Sequence, residues 1–124
     1  MPTLGSIGEK VDLLIKQGAT FGQHILELTD PLTNQPLNLL GASLRGTMRK
    51  EFGGPIVATF ATPILDAAGG KAGLSLDAIT TAALACGPTI KDPASQYVWD
   101  LEMTDTLTRV IPIMYGDVKV FRDV

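Results

Sequence analysis

Apolar and polar residues alternate along several short segments of this chain, and turn-forming residues separate these segments. In the segment YVWDLEM (97–103), every second residue from Tyr97 is large and apolar, whereas Asp100 and Glu102 lie between them. Because successive side chains of an extended strand face opposite sides, this alternation predicts a half-buried β-strand over 96–104. The same reasoning predicts strands over residues 11–16, 21–28, 43–52, 56–64, 74–76 and 109–124.

Turn residues and one helical segment complete the pattern. The segment PLTNQPLNLLG (31–41) predicts a loop because Pro and Asn favour turns, and GGKAG (69–73) predicts a hairpin turn. The segment DAITTAALACGP predicts one helix over 77–86, with Asp77 as its cap and Gly87-Pro88 at its end.

These elements predict the fold class. Short strands at intervals of about ten residues, with one short helix, are typical of an antiparallel β-sandwich. We therefore predict an all-β sandwich, Ig-like or of a related Greek-key type, with seven to eight strands. The 124 residues fit a single domain, 1–124, with a flexible N-terminal segment 1–9.

Two strands carry patterns that bear on function. Within 21–28, a period of two puts Phe21 on the opposite side from Leu26. Within RVIPIMYG (109–116), both faces are apolar, so the second face must be covered by the chain itself or by a neighbouring subunit. Pro112 has no backbone N–H, which predicts an edge position or a bulge.

Composition limits the functions that the chain can have. The net charge is −3, and the only tight basic group is Arg45, Arg49 and Lys50, so we expect neither a nucleic-acid nor a membrane surface. One cysteine, Cys86, excludes an internal disulfide and a structural zinc site, and we predict a small buried apolar residue. The N-terminus has no basic start followed by an apolar run, which predicts synthesis in the cytoplasm without secretion.

Catalytic and cofactor motifs are missing from the sequence. It contains no G-x-S-x-G, G-x-x-x-x-G-K-[ST] or H-E-x-x-H pattern. The one histidine, His24, has no predicted acid or nucleophile beside it, so we predict a partly buried strand histidine with a structural hydrogen bond. We expect no enzyme activity, no cofactor and no metal.

Asp100 and Glu102 are the one carboxylate pair that suggests chemistry. Two carboxylates two residues apart can bind a metal or act as an acid and a base. A calcium site, however, needs about six or seven oxygen ligands, and a glycosidase pair needs an aromatic cleft. Since neither is visible in the sequence, we predict that both carboxylates lie on a solvated strand face.

Several segments resemble a group of small tailed-phage virion proteins. The segment DLLIKQGATF (12–21) is similar to a D-L-x-I-x-Q-G-A-T-F strand, and PLNLLG (36–41) to a P-x-D-L-T-G segment, with Asn38 and Leu40 in place of Asp and Thr. LSLDAITTAAL is similar to the strand and short helix of the group, YVWDLEMTD to Y-x-Y-D-L-E-L-x-D, and the closing segment to R-x-x-x-G-x-V-x-V, with Arg109 and Gly116. The resemblance covers nearly the whole chain and extends to the N-terminal domain of baseplate upper proteins.

The resemblance implies a non-enzymatic virion protein at the tail, the baseplate or a fibre attachment. It implies other virion proteins as partners, with several copies in a symmetric assembly. A capsid decoration protein is the alternative, and a carbohydrate-binding module is the weaker one because aromatic residues are few and mostly on core faces. From the basic strand and the doubly apolar strand, we predict Arg45, Arg49, Ile113 and Tyr115 as interface residues.

Overall fold

The computed structural model describes residues 3–4, 9–30, 32–84 and 94–121 of the chain. Within these residues the chain forms ten strands and one short helix. The strands are β1 (Thr3–Leu4), β2 (Glu9–Lys10), β3 (Leu13–Lys16), β4 (Phe21–Glu27), β5 (Ser43–Arg49), β6 (Ile56–Phe60), β7 (Ile64–Asp66), β8 (Lys71–Leu76), β9 (Ala94–Thr104) and β10 (Val110–Phe121), and helix α1 (Ala78–Ala82) lies between β8 and β9. The prediction of an all-β chain with one short helix is confirmed.

The strands form two sheets. The smaller sheet has the order β1-β4-β8-β7, and the larger has the order β2-β10-β9-β5-β6, with β3 also paired to β10. Most neighbours are antiparallel, as predicted, but β1 pairs with β4, and β2 and β3 pair with β10, in parallel. The parallel pairs arise because the chain before residue 17 adds short strands to both sheets. The alternation pattern predicted β3 within residues 11–16, but it did not predict β1, β2 or the parallel pairing.

One cluster of buried apolar side chains contains residues of both sheets. From β9, Tyr97, Trp99, Leu101 and Met103 are all buried, so the predicted core face of this strand is confirmed. The rings of Trp99 and Phe60 meet edge to face, with centroids 5.8 Å apart. The strand with the clearest alternation in the sequence therefore lies at the centre of the larger sheet and fills the core.

Strand β4 departs from its predicted alternation. Phe21 and Leu26 are both buried, although a strict period of two puts them on opposite sides. The register with β8 shifts between Phe21 and His24, next to Gly22 at a φ of 86°. A side chain on Gly22 would collide with the carbonyl of Leu74, so only glycine fits this bulge. The bulge interrupts the alternation of the two faces, so Phe21 and Leu26 lie on the same side of β4. The prediction of which residues share a face of this strand was wrong.

Strand β10 contains the bulge that Pro112 predicted. The pairing with β9 shifts between Pro112 and Met114, while β2 and β3 pair with the other side of β10. The bulge prediction is confirmed. The parallel pairs with β2 and β3 involve residues of β10 from Met114 onward. Because of the bulge, Ile113 and Met114 are both buried in the core, whereas Tyr115 is exposed. The bulge places two consecutive apolar residues in the core, but the opposite face of this stretch remains apolar and exposed.

The helix is shorter than predicted, and its start is confirmed. The Asp77 carboxylate accepts a hydrogen bond from the Thr80 N–H at 2.8 Å and caps the helix. The Thr81 hydroxyl is buried and donates to the Ala19 carbonyl at 2.8 Å, which fixes the helix on the body of the domain. The end predicted at Cys86 and Gly87-Pro88 lies outside the described residues.

A hairpin turn is present near GGKAG, as predicted, but it lies earlier in the chain, because residues 71–73 belong to β8. Residues 67–70 form the turn between β7 and β8, with Gly70 at a φ of 68°. The loop predicted over 31–41 also lies between strands, from β4 to β5, over its described residues.

Candidate interaction surface

The predicted basic strand and the predicted carboxylate pair lie side by side on one face of the larger sheet. Strands β5 and β9 are antiparallel neighbours, with Arg45 opposite Glu102 and Thr47 opposite Asp100. All four side chains are on the face opposite the core. We call this face, with the exposed residues next to it, the β5–β9–β10 surface. Its residues are Arg45, Thr47, Arg49, Phe52, Asp100, Glu102, Val110, Pro112 and Tyr115.

A closed polar cluster occupies the centre of this surface. The buried Thr47 hydroxyl donates to Asp100 Oδ1 at 2.7 Å and accepts a hydrogen bond from Arg49 Nη1 at 2.8 Å. Arg49 Nη1 also lies 3.5 Å from Asp100 Oδ1, and both charged side chains are half-buried. The carboxylate and the guanidinium therefore neutralise each other within the chain.

This cluster corrects two predictions. Asp100 and Glu102 face away from the core, as predicted, but both are half-buried, and Asp100 is bound to neighbouring side chains instead of water. The predicted basic face carries acidic residues as well, because Asp100 pairs with Arg49 and Glu102 lies opposite the exposed Arg45. The surface is therefore close to neutral in charge.

We expect Asp100→Asn to lower the free energy of unfolding by about 1 kcal/mol, since it weakens a charged hydrogen bond in a half-buried cluster. Urea unfolding measures this loss. Glu102→Gln, on the same strand and face, is the matched control and should change stability by less than about 0.5 kcal/mol. Equal effects of the two substitutions would contradict a structural role for the cluster.

Two exposed aromatic rings lie beside the polar cluster. Phe52 follows β5 in the turn to β6 and is 60% exposed, and Tyr115 of β10 is 44% exposed. Their ring centroids are 6.5 Å apart, with the ring planes at 66°. Tyr115 was predicted as an interface residue, and the structure places it at the surface. Phe52 was missed because it was assigned to the end of the strand predicted over 43–52, whereas the structure places it in the turn after β5.

Another predicted interface residue, Ile113, is not on this surface. Ile113 is fully buried in the core, because the bulge after Pro112 turns it inward. The exposed apolar residues of this part of β10 are Val110, Pro112 and Tyr115. Ile113 therefore contributes to stability in this chain and offers no side-chain surface to a partner.

His24 is the one histidine and lies half-buried on β4. Its ring meets that of Phe21 edge to face at 4.7 Å, and its Nδ1 is buried with no hydrogen-bond partner among the described residues. The predicted structural hydrogen bond is therefore not found at Nδ1. Burial lowers the pKa of His24 from its ordinary value of 6.5.

We expect acid to destabilise the domain through His24. Because the pKa is lower in the folded chain than in the unfolded chain, the unfolded chain binds the proton more readily. The stability that neutral His24 provides is full above pH 6.5 and is lost as the pH falls below that value. Urea unfolding of the wild type and of His24→Gln between about pH 8 and pH 5 tests this. Identical pH dependence in the two proteins would contradict it.

Described residues away from the β5–β9–β10 surface also line two clefts. One, of about 250 Å³, is lined by Thr20, Thr59, Ser75 and Thr80 together with Asp77, which is already engaged as the helix cap. The other, of about 260 Å³, lies between the end of β4 and the β7–β8 turn and includes Glu27 and Lys71. Across the described ranges, no three His, Cys, Asp or Glu residues come together as a metal-binding group. No helix in the described part of the chain is long and apolar enough to cross a membrane.

Neither the protein-family models nor the curated proteins compared with this chain match it.

Proposed function

We propose that this chain is a non-enzymatic structural protein of a tailed-phage virion, folded as a β-sandwich and attached at the tail, the baseplate or a fibre. In this proposal the β5–β9–β10 surface contacts a neighbouring virion protein. The resemblance of several segments to small tailed-phage virion proteins supports the virion assignment. The observation that supports the contact is the composition of this surface: paired charges at its centre and exposed aromatic and aliphatic side chains beside them.

The paired charges make this surface suited to burial. A partner that covers an unpaired charge must remove its water, which costs several kcal/mol. Here Arg49 already binds Asp100 and Thr47 within the chain, so a covering partner leaves no charge of this cluster uncompensated. A partner can therefore cover this surface, and the contact requires no catalytic or reactive side chain.

The aromatic pair supplies the apolar contact. Tyr and Phe are enriched in the buried centres of protein interfaces, and Arg is enriched relative to Lys. Phe52 and Tyr115 are exposed next to each other, and Arg45 is exposed on the same face. This arrangement supports an interface with a protein.

The two alternatives make different use of the same surface. A capsid decoration protein would use it to bind capsid subunits, and a reconstruction of the particle would then place the domain on the capsid shell. A carbohydrate-binding module would use Phe52 and Tyr115 as stacking rings. Their planes lie at 66° to each other, so the two rings do not form the flat platform that sugar rings stack on.

Substitution of the aromatic pair tests the proposal. We expect the double change Phe52→Ser and Tyr115→Ser to lower the amount of the chain in purified particles at least about tenfold, a loss of about 1.4 kcal/mol in binding. The matched control is Leu65→Ser with Ile79→Ser, two exposed apolar residues on β7 and on α1.

Both double variants should melt at nearly the wild-type temperature, since all four side chains are exposed. If the aromatic variant enters particles at the wild-type level, the β5–β9–β10 surface is not the attachment surface. Equal losses in both variants would also contradict this assignment.

A further inference from the structure

Three exposed leucines share one local motif. Leu32, Leu40 and Leu107 are 94%, 72% and 68% exposed, which places them among the most exposed large apolar residues of the described chain. Each follows an Asp or Asn by two residues, in the sequences D-x-L (30–32), N-x-L (38–40) and D-x-L (105–107).

The same hydrogen bond holds each leucine in place. The backbone N–H of the leucine donates to the side-chain oxygen of the Asp or Asn: Leu32 to Asp30 at 2.9 Å, Leu40 to Asn38 at 3.0 Å, and Leu107 to Asp105 at 2.9 Å. Such turns fix the backbone at the position of the leucine. An apolar side chain on a fixed turn loses less conformational entropy when a partner binds it.

Further bonds fix two of these turns. Asp105 also accepts from the Arg109 N–H at 2.9 Å and from Arg109 Nε at 2.8 Å. Next to Leu40, Leu39 is fully buried in the core, and its N–H donates to the Ala67 carbonyl at 2.8 Å. The turn of Leu107 is therefore closed by its own side chains, and the turn of Leu40 is tied to the body of the domain.

The three turns lie at the same end of the two sheets. Strand β9 ends and β10 begins at the register pair Thr104 and Val110, and β5 begins opposite Thr104. A side chain added at Gly41 would meet Thr106 at 2.7 Å, so the loop 28–42 lies against the turn 105–109. Leu32 is in the same loop, 28–42, which also bonds to the turn 67–70.

We propose that this end of the domain, which we call the leucine end (Leu32, Leu40 and Leu107), is a second attachment surface that inserts its leucines into apolar pockets of another protein. The inference rests on the proposed function, in which the β5–β9–β10 surface already contacts one neighbour. The leucine end contacts a second neighbour, since its residues are distinct from those of the β5–β9–β10 surface.

Charge identifies the kind of partner. The charged residues of the three turns are Asp30, Asp105 and Arg109, and all of them already accept or donate hydrogen bonds within their own turns. The matching surface is thus uncharged and apolar. A membrane fits less well, because a lipid surface with anionic headgroups attracts basic loops, and these turns carry more acidic than basic side chains.

The test uses a triple variant and a matched triple control. The variant is Leu32→Ser, Leu40→Ser and Leu107→Ser, and the control is Leu14→Ser, Val57→Ser and Ile79→Ser, three exposed apolar residues elsewhere on the domain. Each is expressed in cells that produce the phage, and its amount in purified particles is measured relative to wild type. We expect the leucine variant to fall at least about tenfold and the control to remain within about twofold of wild type.

The other possible results contradict the leucine end as an attachment surface, the proposed function, or the kind of partner. If the wild-type chain is present in particles and the leucine variant is recovered at the same level, the leucine end is not an attachment surface. The proposed function is then unaffected. Absence of the wild-type chain from particles overturns both. Leucine-dependent binding of the purified chain to phosphatidylcholine–phosphatidylglycerol vesicles overturns the inference in favour of a membrane. A leucine-dependent dimer in sedimentation velocity overturns it in favour of self-association.

Thermal melting separates a loss of binding from a loss of folding. The three leucines are exposed, so the triple variant should melt close to the wild-type temperature. If it melts much lower, the leucines support the fold, and the assignment of the leucine end as an attachment surface is wrong.

Discussion

Replacing Trp99 with alanine is expected to lower the free energy of unfolding by about 3–5 kcal/mol, the range for removal of a large buried aromatic side chain. Trp99 is among the largest fully buried side chains and packs against Phe60 in the core. Its indole N–H donates to the Val11 carbonyl at 2.7 Å and so joins β9 to the segment between β2 and β3. Alanine removes both the packing and this hydrogen bond.

Urea unfolding measures this loss, and Trp99→Phe separates its two parts. Phenylalanine keeps a large ring but has no N–H, so the Val11 carbonyl loses one donor. We expect a smaller loss of about 1–3 kcal/mol for Trp99→Phe. A Trp99→Ala variant within about 0.5 kcal/mol of wild type would place Trp99 outside the core and contradict the fold.

Gly116→Ala is the second large effect that we expect, a loss of about 3 kcal/mol or more. Gly116 pairs with Trp99 across β10 and β9. A side-chain carbon at Gly116 would overlap the Val11 carbonyl and approach Trp99 Nε1 to 3.0 Å. Because the Val11 carbonyl is backbone, it cannot move aside without disturbing the pairing of β2 and β3 with β10. The methyl group would also disrupt the hydrogen bond that Trp99 donates.

Gly46→Ala is the matched control for this prediction. Gly46 also lies within a strand of the larger sheet, but a side-chain carbon there would meet the Phe60 and Thr62 side chains at 3.3–3.4 Å. Side chains can shift by a few tenths of an ångström, so the expected loss is below about 2 kcal/mol, at the mild end of overpacking. An equal loss of stability at both glycines would show that a side chain is unfavourable at either strand position in general. The contact with the Val11 carbonyl would then not be the reason that residue 116 must be glycine.

The sequence pattern predicted the regular parts of the fold. The alternation in YVWDLEM follows the core face of β9, because this strand lies in the middle of a sheet and keeps a strict period of two. The pattern failed at Gly22 and at Ile113, where bulges shift the phase. A bulge is set by the pairing with another strand, so Pro112 could suggest one but could not fix its position.

The candidate surface was only partly visible in the sequence. Arg49 and Asp100 are far apart in the chain, and their contact depends on the pairing of β5 with β9. Without that pairing, the arginines looked like a basic face and the carboxylates like a solvated face. The leucine end differs in this respect, because each of its hydrogen bonds joins residues two apart, and the repeated D-x-L and N-x-L patterns are visible in the sequence.

Quantification of the chain in purified virions by mass spectrometry tests whether the chain is a virion protein. The sample is the phage that encodes the chain, purified to constant composition, with a known structural protein as an internal standard. We expect the chain to be present in several copies per particle and to remain bound after washing in high salt, since the proposed contacts are mainly apolar. Absence of the chain from purified particles would show that it is not a virion protein.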